Sequence, residues 1–248
     1  MKLKKWIKKQ EADLEVQDKN MRKGHFIVID GADGSGKATQ VRMLQRKLQM
    51  KDHPHHIIAF PRYTGNPYGM LIGRYLKGEF GQLDEVNTFL VSLAYAGDRF
   101  LAKPMIQGWL NDGELVIADR YASSNKAYMS AKLPRDQRQE FIDWLDDLEY
   151  NINGIPREEL VIFLYLPPKQ GKKLLVKRKS KDALNEQNND IHERNEKYQE
   201  ESIKQYMHLA KEENWIVVNC LNDQGEMRTR DDIHKEIWNT IKKEGIME

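Results

Sequence analysis

Residues 25–40 read "HFIVIDGADGSGKATQ", and the change of character part-way along decides the fold. The first six residues are apolar and β-branched up to Asp30, the pattern of a strand buried on both faces. The run behind it, "GADGSGKATQ" (31–40), sets Gly31, Gly34 and Gly36 ahead of a lysine that opens a helical stretch. Glycines at those places allow a tight turn whose backbone N–H groups point inward, at the positive end of the following helix. Strand, glycine turn and helix start together make a phosphate cradle. Its expected residues are Gly31, Gly34, Ser35, Gly36, Lys37, Ala38 and Thr39, with Lys37 reaching the β- and γ-phosphates of a triphosphate. The common pattern has Ser or Thr directly after the lysine, and Ala38 stands there instead. Thr39 is no simple substitute, because neighbouring helical side chains point about 100° apart. Magnesium binds mainly to substrate phosphates and water, so the loop is expected to work with a loosened metal contact. A carboxylate turned into the phosphates would be repelled. Asp33 is therefore expected to aim away, toward a second molecule that offers a hydroxyl.

Outward from this loop, strand and helix signals alternate. "HHIIAF" (55–60), "ELVIA" (114–118), "LVIFLYL" (160–166) and "WIVVNC" (215–220) join "HFIVID" as strands. Helical stretches are expected at about 37–50, 84–109, 136–149, 195–213 and 230–243, with Leu44 and Leu48, then Phe89, Leu93 and Ala96, at helical spacing. The alternation predicts an α/β fold: a five-stranded, mostly parallel sheet flanked by helices, with right-handed crossovers. Ligands of such sheets bind at the carboxyl ends of the strands.

The chain has 248 residues, enough for one such domain, and its 40 Lys and Arg against 38 Asp and Glu give a net charge of only +2. That balance gives no pull toward nucleic acid or membranes. A single cysteine, Cys220, excludes an internal disulfide, fits a reducing compartment and reads as a packed core thiol. No apolar run is long enough to span a bilayer, and no secretory block opens the chain; a cytoplasmic protein is expected. Residues 1–24 form a charged N-terminal appendage, with eight basic and four acidic residues around Leu3, Trp6, Ile7 and Leu14, ahead of one domain over 25–248. Residues 169–197 are densely charged. By composition they read as a solvated surface segment or as a cationic lid. His53, His55 and His56 are close enough to suggest a metal, but a solvated loop is the better reading.

The residues after each strand carry the chemistry. The second strand leads into "FPRY" (60–63), where Pro61 stiffens the exit and Arg62 is placed to clamp a phosphate bidentately. The third leads into "ADRY" (118–121). Asp119 lies where triphosphate enzymes hold magnesium or its waters, and Arg120 suits charge on a transferring phosphoryl group. Tyr95 and Arg99, four apart on a helix, share a face that offers an aromatic plane and a guanidinium to a base.

"GADGSGKATQ", "FPRY" before a Gly- and Pro-containing loop, "DRYASSNKAY" and, more weakly, "NDIHERNEKYQ" follow one another in this order. Through them the chain, from about residue 25 to 240, resembles the thymidylate kinases, the bacterial branch closely. The resemblance implies a P-loop kinase fold of the nucleoside monophosphate kinase type with a short basic lid (about 169–197). It implies ATP with Mg2+ as donor, dTMP as acceptor, neither nucleic acid nor membrane as partner, and a homodimer. Asp33 would meet the sugar 3′-hydroxyl, and Arg62 and Arg120, beside Phe60 and Pro61, the 5′-phosphate. Tyr95 would stack on thymine, Arg99 and Asn125 with Ser124 would read its edge, and Tyr128 would crowd the 2′ position. Asp190 and Glu193 would lie near sugar and lid, with His192 where relatives often carry an aromatic residue. Some family members keep a catalytic arginine in the loop, at the position of Gly34 here. Others keep it in the lid, and this chain resembles those, with Arg178 the best candidate and Lys177, Lys179 and Lys181 as alternates. Asn222 and Asp223 follow the last strand, toward the adenine end. Lys37, Arg120 and Arg178 are thus the expected catalytic residues and Asp119 the metal contact.

Two other readings compete. A deoxynucleoside kinase would need a carboxylate base after the second strand, where this chain has Arg62. A non-catalytic nucleotide-binding module has only Ala38 and the appendage in its favour.

Overall fold

The computed structural model describes residues 24–171, 191–192 and 195–247. The appendage expected over 1–24 lies outside these residues except for Gly24, and so does most of the expected lid.

Five strands form one parallel sheet: β1 (His25–Gly31), β2 (His55–Ala59), β3 (Leu115–Asp119), β4 (Leu160–Tyr165) and β5 (Ile216–Asn219), in the spatial order β2-β3-β1-β4-β5. The expected parallel α/β sheet is thus found, with β1 at its centre. Alternation along β1 feeds two cores. Phe26 and Val28 join Val116, Ala118, Val161 and Phe163 on one face, while Ile27 and Ile29 join Leu115, Ile117, Leu160 and Ile162 on the other. Register sets the strand ends level. Ile29 pairs with Asp119, Phe60 N donates to Asp119 O at 3.0 Å, and Arg120 N donates to Ile29 O at 3.1 Å. The loops after β1, β2 and β3 therefore emerge side by side.

Seven α-helices lie wholly within the described residues. On one face lie α1 (Lys37–Met50), which buries Val41, Leu44 and Leu48, and α7 (Arg230–Lys243), which buries Ile233, Ile237 and Ile241. On the other lie α2 (Pro67–Leu76), α3 (Thr88–Asn111), α4 (Ala122–Ser130), α5 (Arg138–Asp146) and α6 (Glu196–Glu212). Two of these, α2 and α4, are not among the helices expected from sequence. "GNPYGM" reads as a loop, yet Asn66 caps it by accepting from Gly69 N at 2.8 Å, with Pro67 at the first helical position. In α4 every residue is buried, so no amphipathic stripe betrays it. The helix expected from 84 begins at Thr88, because the Asn87 side chain accepts from Phe89 N and Leu90 N. The one expected over 136–149 stops at Asp146 and continues as a π-helical turn, Asp147–Ile152.

Candidate active site

The glycine loop is built by backbone. Gly31, Gly34 and Gly36 have φ of +151°, +81° and +93°. At Gly34 a Cβ would sit 2.8 Å from the Gly171 carbonyl oxygen, whereas at Gly36 it would meet nothing within 4 Å. Gly36 precedes α1 with no side-chain cap, so the helix presents uncapped N–H groups beside open space. Ser35 is buried and its Oγ has no partner among the described residues, an orphan of the kind a phosphate oxygen satisfies. Ala38 is exposed on the first turn and Thr39 half-buried. The loop is tied to the sheet at β5, where Cys220 Sγ lies 3.6 Å from Ser35 O. Lys37 is buried, and its Nζ donates to Ala32 O at 2.9 Å. Burial, with Arg120 adding its charge, pushes the ammonium down to about 8. Asp119, at the end of β3, moves the other way. Burial raises its carboxyl above the usual range, while Lys37 and Arg120 oppose the rise.

A second region opens beside the loop, a cavity whose wall includes Phe60, Pro61, Tyr95, Arg99, Asn125 and Tyr128. The Phe60–Pro61 peptide bond is cis. Asp33, Arg120, Ser124 and His192 also line it. The Asp33 side chain is directed at Arg120, and its Oδ1 accepts from Arg120 Nη2 at 2.5 Å. Burial works to raise its pKa, but Arg120 and Lys37 outweigh it and hold the carboxylate below its ordinary value. Arg120 has a left-handed backbone, φ +68°, and Nη1 reaches Ser124 Oγ at 3.3 Å and Asp30 Oδ1 at 3.8 Å. Tyr95 and Arg99 both face this cavity, as their spacing predicts. Asn125 is buried there with Oδ1 unpartnered among the described residues.

Two sites differ in detail from the reading of the sequence. Arg62 is expected to offer a free bidentate fork. Instead Nε donates to Asp98 Oδ1 at 2.8 Å and Nη2 to Asp98 O at 2.7 Å, so that one edge is already taken. Arg99 is expected at a surface or base edge. It is buried, with Nε donating to Glu149 Oε1 at 2.9 Å, Nη2 bonded to the same oxygen, and Nη1 3.4 Å from Tyr121 O. Burial disfavours its charge, but the Glu149 carboxylate more than compensates and raises its pKa.

Comparison with known proteins follows the same lines. The sequence model described as "Thymidylate kinase" matches residues 29–233. The chain belongs to the thymidylate kinase family. A Mycobacterium tuberculosis thymidylate kinase is 28% identical over 205 residues, 82% of this chain and 94% of the relative. A Plasmodium falciparum thymidylate kinase is 28% identical over 223 residues, 90% and 91% of the two chains. A solved thymidylate kinase from Candida albicans shares the fold, with a TM-score of 0.70 at 24% identity, covering 91% of this chain and 94% of its own.

As a thymidylate kinase family member, the chain is a nucleoside monophosphate phosphotransferase. Of its expected site residues, Arg178, Asp190 and Glu193 lie outside the described residues, as do Lys177, Lys179 and Lys181. Asn222 and Asp223 line a separate open groove with Arg228 and Asp232, and the Asn222 side-chain Oδ1 already accepts from Gln224 N and Glu226 N. Residues that sequence reasoning missed are the partners. Asp30 accepts from Gly31 N, Ser123, Ser124 and Tyr206 at 2.5–2.8 Å. Asp98 and Glu149 brace arginines, and Tyr75 Oη lies 3.0 Å from His192 Nε2. Burial pushes His192 down to about 3, so its ring is neutral where it stacks on Tyr128. Asp30 ends a strand and was visible as such; nothing local marked the others.

Proposed function

We propose that this enzyme transfers the γ-phosphoryl group of ATP to dTMP, giving dTDP and ADP. Arg120 carries the reading. One guanidinium contacts Asp33 on the glycine loop and Asp30 under it, and lines the aromatic cavity. It therefore links the glycine loop to the aromatic cavity, which supports reading the one as the donor site and the other as the acceptor site. An oxygen of the dTMP 5′-phosphate would attack the γ-phosphorus as the bond to the β–γ bridging oxygen breaks, and the electron pair would leave with ADP. The acceptor is already ionised, so no general base is required. Lys37 and Arg120 would hold the charge on the group in flight, and positioning supplies most of the remainder. Bound Mg2+ would neutralise phosphate charge. Asp119 suits its water shell, and the orphaned Ser35 Oγ and the open space at Gly36 suit the phosphates.

In the cavity Tyr95 would stack on the base, and Arg99 with Asn125, beside Ser124, would read its edge. Asp33 would accept from the 3′-hydroxyl and Tyr128 would crowd the 2′ position. Arg62 would meet the 5′-phosphate with the edge Asp98 leaves, beside Phe60 and Pro61. Among residues outside the described ones, Arg178 is proposed as the lid cation, and Asp190 and Glu193 as contacts near the sugar. Coupled ADP release across dTMP, dUMP, dCMP and thymidine tests this: dTMP is expected to lead. A preference for thymidine would overturn the monophosphate reading, and ATP binding without dTMP-dependent turnover would favour a non-catalytic module.

A second copy of the chain is the proposed partner, with the cytoplasm, on the single buried cysteine, as the proposed compartment. Leu90, Leu93, Phe100, Leu101 and Met105 form an exposed apolar stripe along α3, with Leu90 66% exposed, continued by Met70 and Leu71 on α2. Such a patch marks a partner surface. No described helix is long and apolar enough to cross a membrane. Sedimentation is expected to show a dimer that Leu93→Glu dissociates; a wild-type monomer at micromolar concentration would overturn it.

A further inference from the structure

The Arg99–Glu149 pair is the deepest ion pair bordering the cavity, with side chains 2% and 0% exposed. Three observations set it apart from an ordinary structural pair. Both Nε and Nη2 of Arg99 converge on Oε1 alone. Oε2 is buried without a partner among the described residues, an arrangement that a pair kept only for stability gains nothing from. Glu149 also sits inside the π-helical turn Asp147–Ile152, a local widening found often at functional sites.

We propose that Glu149 is a positioning residue of the acceptor site and that it sets the preference for a 4-oxo over a 4-amino pyrimidine. By taking Nε and one hydrogen of Nη2 it fixes the plane of the guanidinium and, with Nη1 also directed at Tyr121 O, leaves only the remaining Nη hydrogens for a ligand. By cancelling the charge it makes a buried N–H donor tolerable in an apolar pocket. The unpartnered Asn125 Oδ1 belongs to the lining of the same cavity. A donor and an acceptor offered by one cavity match a base edge that presents a carbonyl next to a ring N–H. The edge of a 4-aminopyrimidine presents the reverse order and leaves both protein groups opposed by like partners. This rests on the reading of Arg99 and Asn125 as base contacts.

The test is steady-state kinetics of the full chain carrying Glu149→Gln, with Glu149→Asp as rescue and Arg99→Leu as control. Glu149→Gln is expected to raise KM for dTMP and dUMP equally, about tenfold, with KM for ATP unchanged and kcat nearly so. The ratio of kcat/KM for dCMP over dTMP should rise by a similar factor, and Glu149→Asp should recover part of both effects. A loss shared by ATP and all monophosphates, or an unchanged dCMP ratio, would overturn the proposal. If Glu149→Gln does not fold, ligand-induced Tm shifts of Glu149→Asp with dTMP and dCMP supply the same ratio. If Arg99→Leu leaves KM for dTMP unaltered, the base-contact reading itself fails. If Arg99→Leu raises it while Glu149→Gln does not, only the positioning role fails.

Discussion

The glycine loop and the acceptor cavity lie side by side at the carboxyl edge of one sheet, yet they are built differently. In the loop, three glycines and the start of α1 make the site from backbone, and one side chain, Lys37, adds charge. In and beside the cavity each arginine is held by a carboxylate from a distant part of the chain: Arg120 by Asp33, Arg99 by Glu149 and, between the lining residues Pro61 and Tyr63, Arg62 by Asp98. The first construction concentrates function in few residues. The second spreads it over pairs, so that removing one partner strands a buried charge.

The largest effect is therefore expected at Lys37. Lys37→Met should lower kcat about 10³-fold, with KM for dTMP little changed, in the coupled ADP assay. The same variant has a second signature. The folded ammonium titrates near 8 against 10.5 in a free chain. Below pH 8 both states are protonated, and the cost of burying the charge, about 3 kcal/mol at most, is fully present. It is relieved between pH 8 and 10.5 as the folded form gives up its proton first. Without ligands, Lys37→Met should melt higher than wild type at pH 7, and the gap should close by pH 10.5. A lower Tm at pH 7 would show that the lysine is paid back by contacts other than the Ala32 carbonyl.

Next comes the link between loop and cavity. Arg120→Ala should cut kcat/KM for dTMP by about 10²–10³, and it also leaves Asp33 and Asp30 with only Lys37 as a nearby cation. Arg120→Gly relieves the left-handed backbone at φ +68°, which disfavours any residue with a Cβ by roughly 1 kcal/mol. Both variants should be equally impaired, with Arg120→Gly the more stable. Equal stability would mean that the strain is absorbed elsewhere.

The contrast between loop and cavity also governs what a sequence reader sees. The loop is continuous in sequence, and its glycines announce positive φ. Strands β1, β3 and β4 stand out because burial on both faces leaves unbroken apolar runs, and the less buried edge strands β2 and β5 still carry β-branched pairs. Tyr95 and Arg99 were found by a helical spacing of four. Their braces were not, because Asp98 and Glu149 are ordinary acids in helical stretches until folding sets them against Arg62 and Arg99. Likewise α4 hides its helix, since Ser123, Ser124 and Asn125 are buried by hydrogen bonds rather than by apolar contact. The paired arginines follow the same rule: a guanidinium is legible after a strand (Arg62, Arg120) or by helical spacing (Arg99), its partner only in space.

A third prediction separates the two regions directly. Arg62→Ala should raise KM for dTMP about tenfold while that for ATP stays within about twofold, because Arg62 sits between Pro61 and Tyr63 of the cavity wall. Asp98→Asn should reproduce a smaller part of this rise. The Asp98 carboxylate also accepts from Arg62 N at 2.8 Å and Asn66 Nδ2 at 3.0 Å, and the amide replaces one of these acceptors with a donor. Equal changes for both substrates would mean that the cavity and the loop are not separable.

The smallest effect is expected at Ala38, the letter by which the loop departs from the usual pattern. Its side chain is exposed on the first turn of α1, so Ala38→Thr adds a hydroxyl without displacing anything buried. Threonine in a helix costs a few tenths of a kcal/mol against alanine, about 0.7 at most, so Tm should fall only slightly. If phosphates and water already supply most of the magnesium shell, kcat should change less than about threefold. The Mg2+ concentration giving half-maximal rate should drop modestly as one water is replaced. Titrating Mg2+ at saturating ATP and dTMP distinguishes the outcomes. A tenfold gain in kcat would mean that the metal contact, rather than the backbone cradle, limits this loop, and the division of labour between backbone and side chain would have to be redrawn.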